Sequence, residues 1–272
     1  MIKKLLVATA FAGAALLLGS CQKGALESDN PAFAAIDGDY LKTGGDGSNW
    51  AMTGFSYYEQ RHSPLTQIND GNVKDLGIAW FADLPDARGQ EATPVVVDGK
   101  MFVSTAWSKV FSYDAKTGKP LWSFDPKVDK ARGVKACCDV VNRGVAFWNG
   151  SVFVGTIDGR LISLDASTGK QNWSVQTLDL KSNGTITGVP RVVKDKVVIG
   201  FGGAEFGARG YVTAYDAATG KQAWRFYTTP NPAGKPDNAA SDDILKTAAT
   251  STWSRKPKKG DWRESGGGGT VW

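Results

Sequence analysis

The sequence predicts an all-β fold of β-propeller type, and three observations predict it. The first is a repeat. "VFSYDAKTGKPLW" runs from Val110 to Trp122, "LISLDASTGKQNW" from Leu161 to Trp173 and "VTAYDAATGKQAW" from Val212 to Trp224. The aspartates (Asp114, Asp165, Asp216), turn glycines (Gly118, Gly169, Gly220) and tryptophans each step by 51 residues, the period of a propeller or similar array. The second is composition: 33 glycines and 10 tryptophans stand among 272 residues in which long apolar helical patterns are scarce, which favours strands joined by turns. The third is a hairpin upstream of each motif, in "TPVVVDGKMFVST", "GVAFWNGSVFVGT" and "GVPRVVKDKVVIGF", where two apolar runs meet at "VDGK", "WNGS" or "VKDK". Each unit thus holds about four short strands, the content of one blade.

From the N-terminus, "MIKKLLVATAFAGAALLLGSC" has a basic start and an apolar run from Leu5 to Leu18 that is short for a membrane span, so residues 1–20 read as an export signal. Its end, "LLGSC", resembles a bacterial lipoprotein cleavage box. That predicts lipid attachment at Cys21, a tether that does not cross the membrane; an ordinary signal peptide that contains Cys21 is the alternative. Residues 21–36 read as a linker and 37–272 as the propeller domain. "NVKDLGIAWFADL", with Trp80, reads as a single outer strand. In each repeat, alternating residues such as Val110 and Ser112 precede "D-A-x-T-G-K", where Asp hydrogen-bonds the turn backbone and Gly takes positive φ. The repeat tryptophans are expected to pack between neighbouring blades. "PNPAGKPDNAASDDILKTAATSTW" reads as a long connector with a short helix near Ile244 to Thr250, and "GGGGTVW" as the first strand of a fourth blade. Three blades cannot close a ring that needs about four to eight, so the chain is expected to be a fragment of a longer protein.

Charge and histidine content exclude several classes. Hydrophobic residues make up 42% and charged residues 22%, as in an ordinary globular protein. The formal charge of +5 falls to +3 once Lys3 and Lys4 leave with the signal, and "RKPKK" at 255–259 is an isolated basic cluster that reads as a solvated loop. Nucleic acid is therefore not an expected partner. His62 is the only histidine, which argues against a histidine triad or zinc cluster. There is no C-x-x-C-H, hence no covalent haem within these residues.

The cysteines are unusual. Cys137 and Cys138 are adjacent, and after export they can form a disulfide. Neighbouring Cα atoms lie about 3.8 Å apart, below the roughly 4.4–6.8 Å usual for bridged cysteines, so such a bond is strained. Strain of this kind is generally kept for a site. Two buried free thiols filling space are the other reading.

Taken together, "CCDVVNRG", the "DAxTGK...W" turns, "GFGGAEFGARGYVTAYDAATG", the terminal "GGGGTVW" and the opening "DGSNWAMTGFSYYEQRHSPLTQIN" at 46–69 resemble the pyrroloquinoline quinone (PQQ) dependent alcohol dehydrogenases of the methanol and ethanol type. The resemblance spans roughly residue 37 to the end. It implies a periplasmic propeller of about eight blades with PQQ-type tryptophan-docking repeats. Such a protein oxidises a primary alcohol to an aldehyde by hydride transfer to PQQ, with Ca2+ or a lanthanide ion as Lewis acid and electrons passed to a c-type cytochrome.

Residue by residue, the resemblance implies that Glu91 in "GQEATP" and Arg143 in "NRG" meet polar groups of PQQ, the guanidinium pairing with a cofactor carboxylate. Thr187 in "TITGVP" adds a hydroxyl, and Gly203 and Ala204 offer backbone groups. Cys137 and Cys138, joined as a disulfide, lie against one face of the quinone; Trp272 stacks on the other and Thr270 touches its edge. Glu205 is the implied metal ligand, a carboxylate for a hard cation.

The general-base Asp, an Asn metal ligand and a further cofactor Arg belong to later blades. No catalytic base is assigned here, and the chain alone is expected to be inactive. The preferred alcohol, the ion and the oligomeric state, for which a homodimer is compatible, are open. The alternative function is a non-enzymatic, lipid-anchored propeller scaffold of outer-membrane assembly. A scaffold has no chemical use for adjacent cysteines, Glu205 in its loop or Trp272 after four glycines. Sugar and polyol dehydrogenases with the same cofactor generally lack the cysteine pair.

Overall fold

The computed structural model describes Phe33 and residues 35–252. Short helix α1 (Gly38–Thr43) begins where the Asp37 side chain accepts the Tyr40 N–H at 2.8 Å and ends at Gly44, whose φ of 79° lets the chain reverse. Three four-stranded antiparallel sheets follow: β1–β4 (Val95–Val97, Lys100–Ser104, Val110–Asp114, Pro120–Phe124), β5–β8 (Ala146–Trp148, Ser151–Gly155, Arg160–Asp165, Gln171–Gln176) and β9–β12 (Arg191–Val193, Lys196–Ile199, Tyr211–Asp216, Gln222–Tyr227). Within each sheet the strands pair in chain order, which is a meander blade. The expected three blades are present, and helix α2 (Asp242–Thr252) occupies the connector after the third. Among the described residues no helix is long and apolar enough to cross a membrane.

The 51-residue repeat is a repeat of geometry. Asp114, Asp165 and Asp216 each accept hydrogen bonds at 2.7–3.0 Å from the N–H and the hydroxyl of the turn threonine, Thr117, Thr168 and Thr219. Gly118, Gly169 and Gly220 take φ of 70–74°. The pairing of each blade's third and fourth strands shifts register at one place, Ser112/Tyr113, Ser163/Leu164 and Ala214/Tyr215. The shift adds twist, which lets flat sheets fan around an axis.

Trp122 and Trp173 each join their blade to the next. Trp122 Nε1 donates to the Ala166 carbonyl and Trp173 Nε1 to the Ala217 carbonyl, both at 3.0 Å, and each indole lies over the turn glycine of that next blade, Gly169 or Gly220. Phe102 and Phe153, both fully buried, meet the same indoles in tilted contacts with ring centroids 5.8 and 5.7 Å away. Burial of each phenyl ring contributes about 1.5–3 kcal/mol, so the blade interfaces are the core of this fold. Trp224 is 40% exposed, and among the described residues no fourth repeat offers it a carbonyl.

Two details differ from the sequence reading. Trp80 docks on the first blade as an outer-strand residue would, Nε1 to the Ala115 carbonyl at 3.0 Å over Gly118, yet its segment pairs with no described strand. A strand needs a ladder partner; docking through a side chain does not supply one, and Ile78 and Phe81 are left 87% and 82% exposed. Phe33 and Ile36, within the expected linker, pack on the core: Phe33 lies 5.3 Å from the Phe147 ring, and Ile36 is buried.

Candidate functional site

In a meander blade the start of the first strand, the loop between the second and third and the end of the fourth share one rim, and the two remaining turns share the other. Those turns are short, as at Asp98–Gly99 and Asn149–Gly150. On the opposite rim the connectors between blades and the loop between β10 and β11 are long, and the described residues that the resemblance implicates lie on this rim. Glu91 precedes β1, Cys137 and Cys138 lie between β4 and β5, Arg143 precedes β5, Thr187 precedes β9, and Gly203 to Glu205 lie between β10 and β11.

The segments leading into β1, β5 and β9 bring three of these residues together. Backbone bonds step from blade to blade: Thr93 N–H donates to the Arg143 carbonyl at 3.2 Å and Arg143 N–H to the Thr187 carbonyl at 2.9 Å. The Arg143 guanidinium sits between its neighbours, with Nη2 3.0 Å from Glu91 Oε2 and Nη1 donating to Thr187 Oγ1 at 2.5 Å. Three blades thus present a carboxylate, a guanidinium and a hydroxyl in contact. The guanidinium is partly buried, which strengthens its field.

Cys137 and Cys138 are exposed on the same rim. Their Sγ atoms lie 2.7 Å apart. The Cys137 thiol is pushed up, first by its hydrogen bond with Cys138, then by burial and by the charges of Cys138 and Glu205, against a lowering by Arg143. The pair, Arg143 and Glu205 lie on connectors of the same rim. Glu205 is exposed in a 3-10 turn, Ala204–Phe206, between Gly203 (φ 125°) and Gly207 (φ 77°). The turn is fixed to the preceding connector by reciprocal backbone bonds of Thr185 and Gly202 at 3.0 and 2.8 Å.

Residues that the sequence reading did not single out hold the pair in place. Asp139, at φ 71°, accepts from Arg88 Nε at 3.2 Å, from Arg88 Nη2 and from Gly89 N–H at 3.2 Å, and the Trp107 N–H donates to the Val140 carbonyl at 2.9 Å. Trp107 has a φ of 63°, a strained value for a large side chain, and its ring lies 3.9 Å from Lys130 Nζ. Arg88 also ties the loop carrying Glu91 to the loop carrying the cysteines. Adjacency to "CC" could have pointed to Asp139; nothing in the local sequence points to Arg88 or Trp107.

Arg88 holds the Asp139 carboxyl at about 2, below the ordinary value of 3.8, helped by the Val140 and Gly89 amides. The pKa is lower folded than unfolded. The contribution is therefore present above the unfolded pKa and is lost as pH falls through about 4 towards 2. Asp139→Asn is expected to remove that part of the acid sensitivity. Unfolding midpoints of the full-length protein and the variant, followed from pH 5 to pH 3, should converge on acidification; a constant gap contradicts the assignment.

The donor set fits an acidic aromatic cofactor and a hard cation. A guanidinium suits carboxylates, hydroxyl and amide groups suit quinone and ring heteroatoms, and a carboxylate suits calcium or a lanthanide. No cluster of three metal-binding side chains occurs among the described residues. Thr270, Trp272 and Cys21 lie outside the described residues.

Tryptophan-docked blades with a guanidinium, a carboxylate and adjacent cysteines on one rim define a propeller of the quinoprotein class. The chain belongs to the family described as "PQQ: Glucose/ethanol/alcohol dehydrogenase, beta-propeller domain", which it matches over residues 50–257. It is 55% identical over 235 residues to the alcohol dehydrogenase (quinone) dehydrogenase subunit of Gluconobacter oxydans, covering 84% of this chain and 31% of that protein. The crystal structure of quinohemoprotein alcohol dehydrogenase from Comamonas testosteroni superposes with a TM-score of 0.81 at 51% identity, covering 87% of this chain and 35% of that one. A europium-containing methanol dehydrogenase superposes with a TM-score of 0.68 at 40% identity, covering 74% and 36%. The chain thus spans about a third of the length of these relatives.

Proposed function

We propose that this chain forms part of the cofactor-binding rim of a PQQ-dependent dehydrogenase that oxidises primary alcohols. The observation that carries the proposal is the contact of Glu91, Arg143 and Thr187 from three successive blades, on the rim whose connectors also carry Cys137, Cys138 and Glu205. Arg143 would bind and orient the quinone through a carboxylate, with Glu91 and Thr187 fixing the guanidinium plane and reaching the cofactor's polar edge. The amides at Gly203 and Ala204 would line the ring system. The cysteine pair, oxidised to a disulfide after export, would form one wall and exclude water; Trp272 would form the other, with Thr270 at the edge. Glu205 would hold calcium or a lanthanide. When bound, PQQ with its ion supplies the hydride acceptor and the Lewis acid.

The proton acceptor for the alcohol hydroxyl would come from beyond these residues, and the chain alone would be inactive. Electrons would pass to a c-type cytochrome in the periplasm, with Cys21 as a lipid anchor. The full-length protein, purified without cofactor, tests this. Adding PQQ together with Ca2+ or a lanthanide is expected to produce alcohol-dependent dye reduction, and which ion serves identifies the metal. No uptake of PQQ with either ion would sink the proposal in favour of a scaffold.

A further inference from the structure

We infer that Arg132 is a positioning residue that sets the placement of Glu205 relative to the cysteine pair; the inference rests on the proposed metal role of Glu205. Arg132 lies in the 3-10 segment Lys130–Lys135, five residues before Cys137, and is only 8% exposed. Its guanidinium crosses to the next blade connector. Nη1 donates to the Leu180 carbonyl at 2.9 Å and more weakly to Ser182 at 3.4 Å, and Nη2 donates to Gly184 at 3.1 Å. Nε is buried without a partner. Lys135 Nζ reaches the Ser182 carbonyl at 3.0 Å. Two cations of the cysteine segment therefore gather the carbonyls of residues 180–184 into one bend.

That bend is the wall on which the Glu205 turn rests. Asn183 Nδ2 donates to the Phe206 carbonyl at 3.0 Å, and a Cβ on Gly203 would lie 2.8 Å from Gly184 Cα and 3.1 Å from the Asn183 carbonyl oxygen. Arg132, the bend and the Glu205 turn thus form one chain of contacts across three blades. Burying a guanidinium against neutral carbonyls is a costly way to stabilise a loop, and well-packed apolar residues of similar volume often serve stability equally well. What an apolar side chain cannot do is fix three carbonyls at set positions. Partners that orient a ligating carboxylate typically change metal affinity by about 10–100-fold when lost.

The test is a calcium titration of the metal-free, full-length protein in the presence of PQQ, read by cofactor absorbance, with unfolding midpoints recorded alongside. Arg132→Met is expected to weaken calcium binding by about tenfold or more, with Arg132→Lys recovering part of it. Asn183→Ala, which alters an exposed side chain, is expected to weaken calcium binding with little change in the unfolding midpoint, a split that a merely structural role would not produce. Unchanged calcium affinity in Asn183→Ala and in the folded Arg132 variants overturns the inference. If Arg132→Met does not fold, Asn183→Ala decides. A Glu205→Ala control separates the two claims: unchanged calcium affinity there removes the proposed metal site, and the inference with it.

Discussion

Replacing Glu205 by alanine in the full-length protein is expected to abolish metal-dependent loading of PQQ at ordinary calcium concentrations. The apparent calcium affinity should fall by at least about 100-fold, or about 2.8 kcal/mol at 1.4 kcal/mol per tenfold. In the proposed site Glu205 supplies the metal's carboxylate, Glu91 being paired with Arg143, and a hard cation binds chiefly through anionic oxygen. The variant should fold normally, because the side chain is exposed and its turn is set by Gly203, Gly207 and backbone bonds. Loss of binding is therefore separable from loss of structure. A second readout needs no metal. The negative charge of Glu205 raises the Cys137 thiol pKa, so in the reduced, metal-free variant Cys137 should titrate at lower pH. Undiminished PQQ retention across a calcium titration of Glu205→Ala would refute the metal role.

The fold was legible because its information is local and repeated. One Asp, one Gly and one Trp per 51 residues specify a turn, its handedness and the contact that joins neighbouring blades, and these appear in the structure at Asp165, Gly169 and Trp122 as the spacing implies. The short helix near Ile244 was equally local. The Trp80 segment was only half legible: its side-chain docking follows from the motif, but a strand is defined by a neighbour that the local sequence cannot show.

The site divides in the same way. Glu91, Arg143, Thr187 and Glu205 sit in motifs, and the common rim of a meander blade explains why residues 44 apart, Arg143 and Thr187, meet. Arg132 and Arg88 gave no signal, because each acts on backbone or side chains about 50 residues away. In a repeat protein that separation is one blade. Periodicity reveals what every blade shares, whereas a site is built from what each blade has alone.

Substituting Gly169 by alanine is expected to destabilise the full-length protein by about 2–5 kcal/mol, and Gly99→Ala is the comparison that assigns the cause. Both glycines have nearly the same φ, 70° and 69°, so an added Cβ carries the same left-handed penalty of about 1–2 kcal/mol at each. Their surroundings differ. A Cβ on Gly99 meets nothing within 4 Å, whereas on Gly169 it lies 2.6 Å from Trp122 Cε3. The indole must then move, losing its 3.0 Å bond to the Ala166 carbonyl and its packing on Phe102. The excess of Gly169→Ala over Gly99→Ala, read from denaturant midpoints, thus measures blade docking, at about 1–3 kcal/mol. Trp122→Phe should lower stability through the same contact, and adding it to Gly169→Ala should cost less than the sum of the two, since both act on one indole. Equal losses at Gly169 and Gly99 would mean that the tryptophans fill space between blades without joining them.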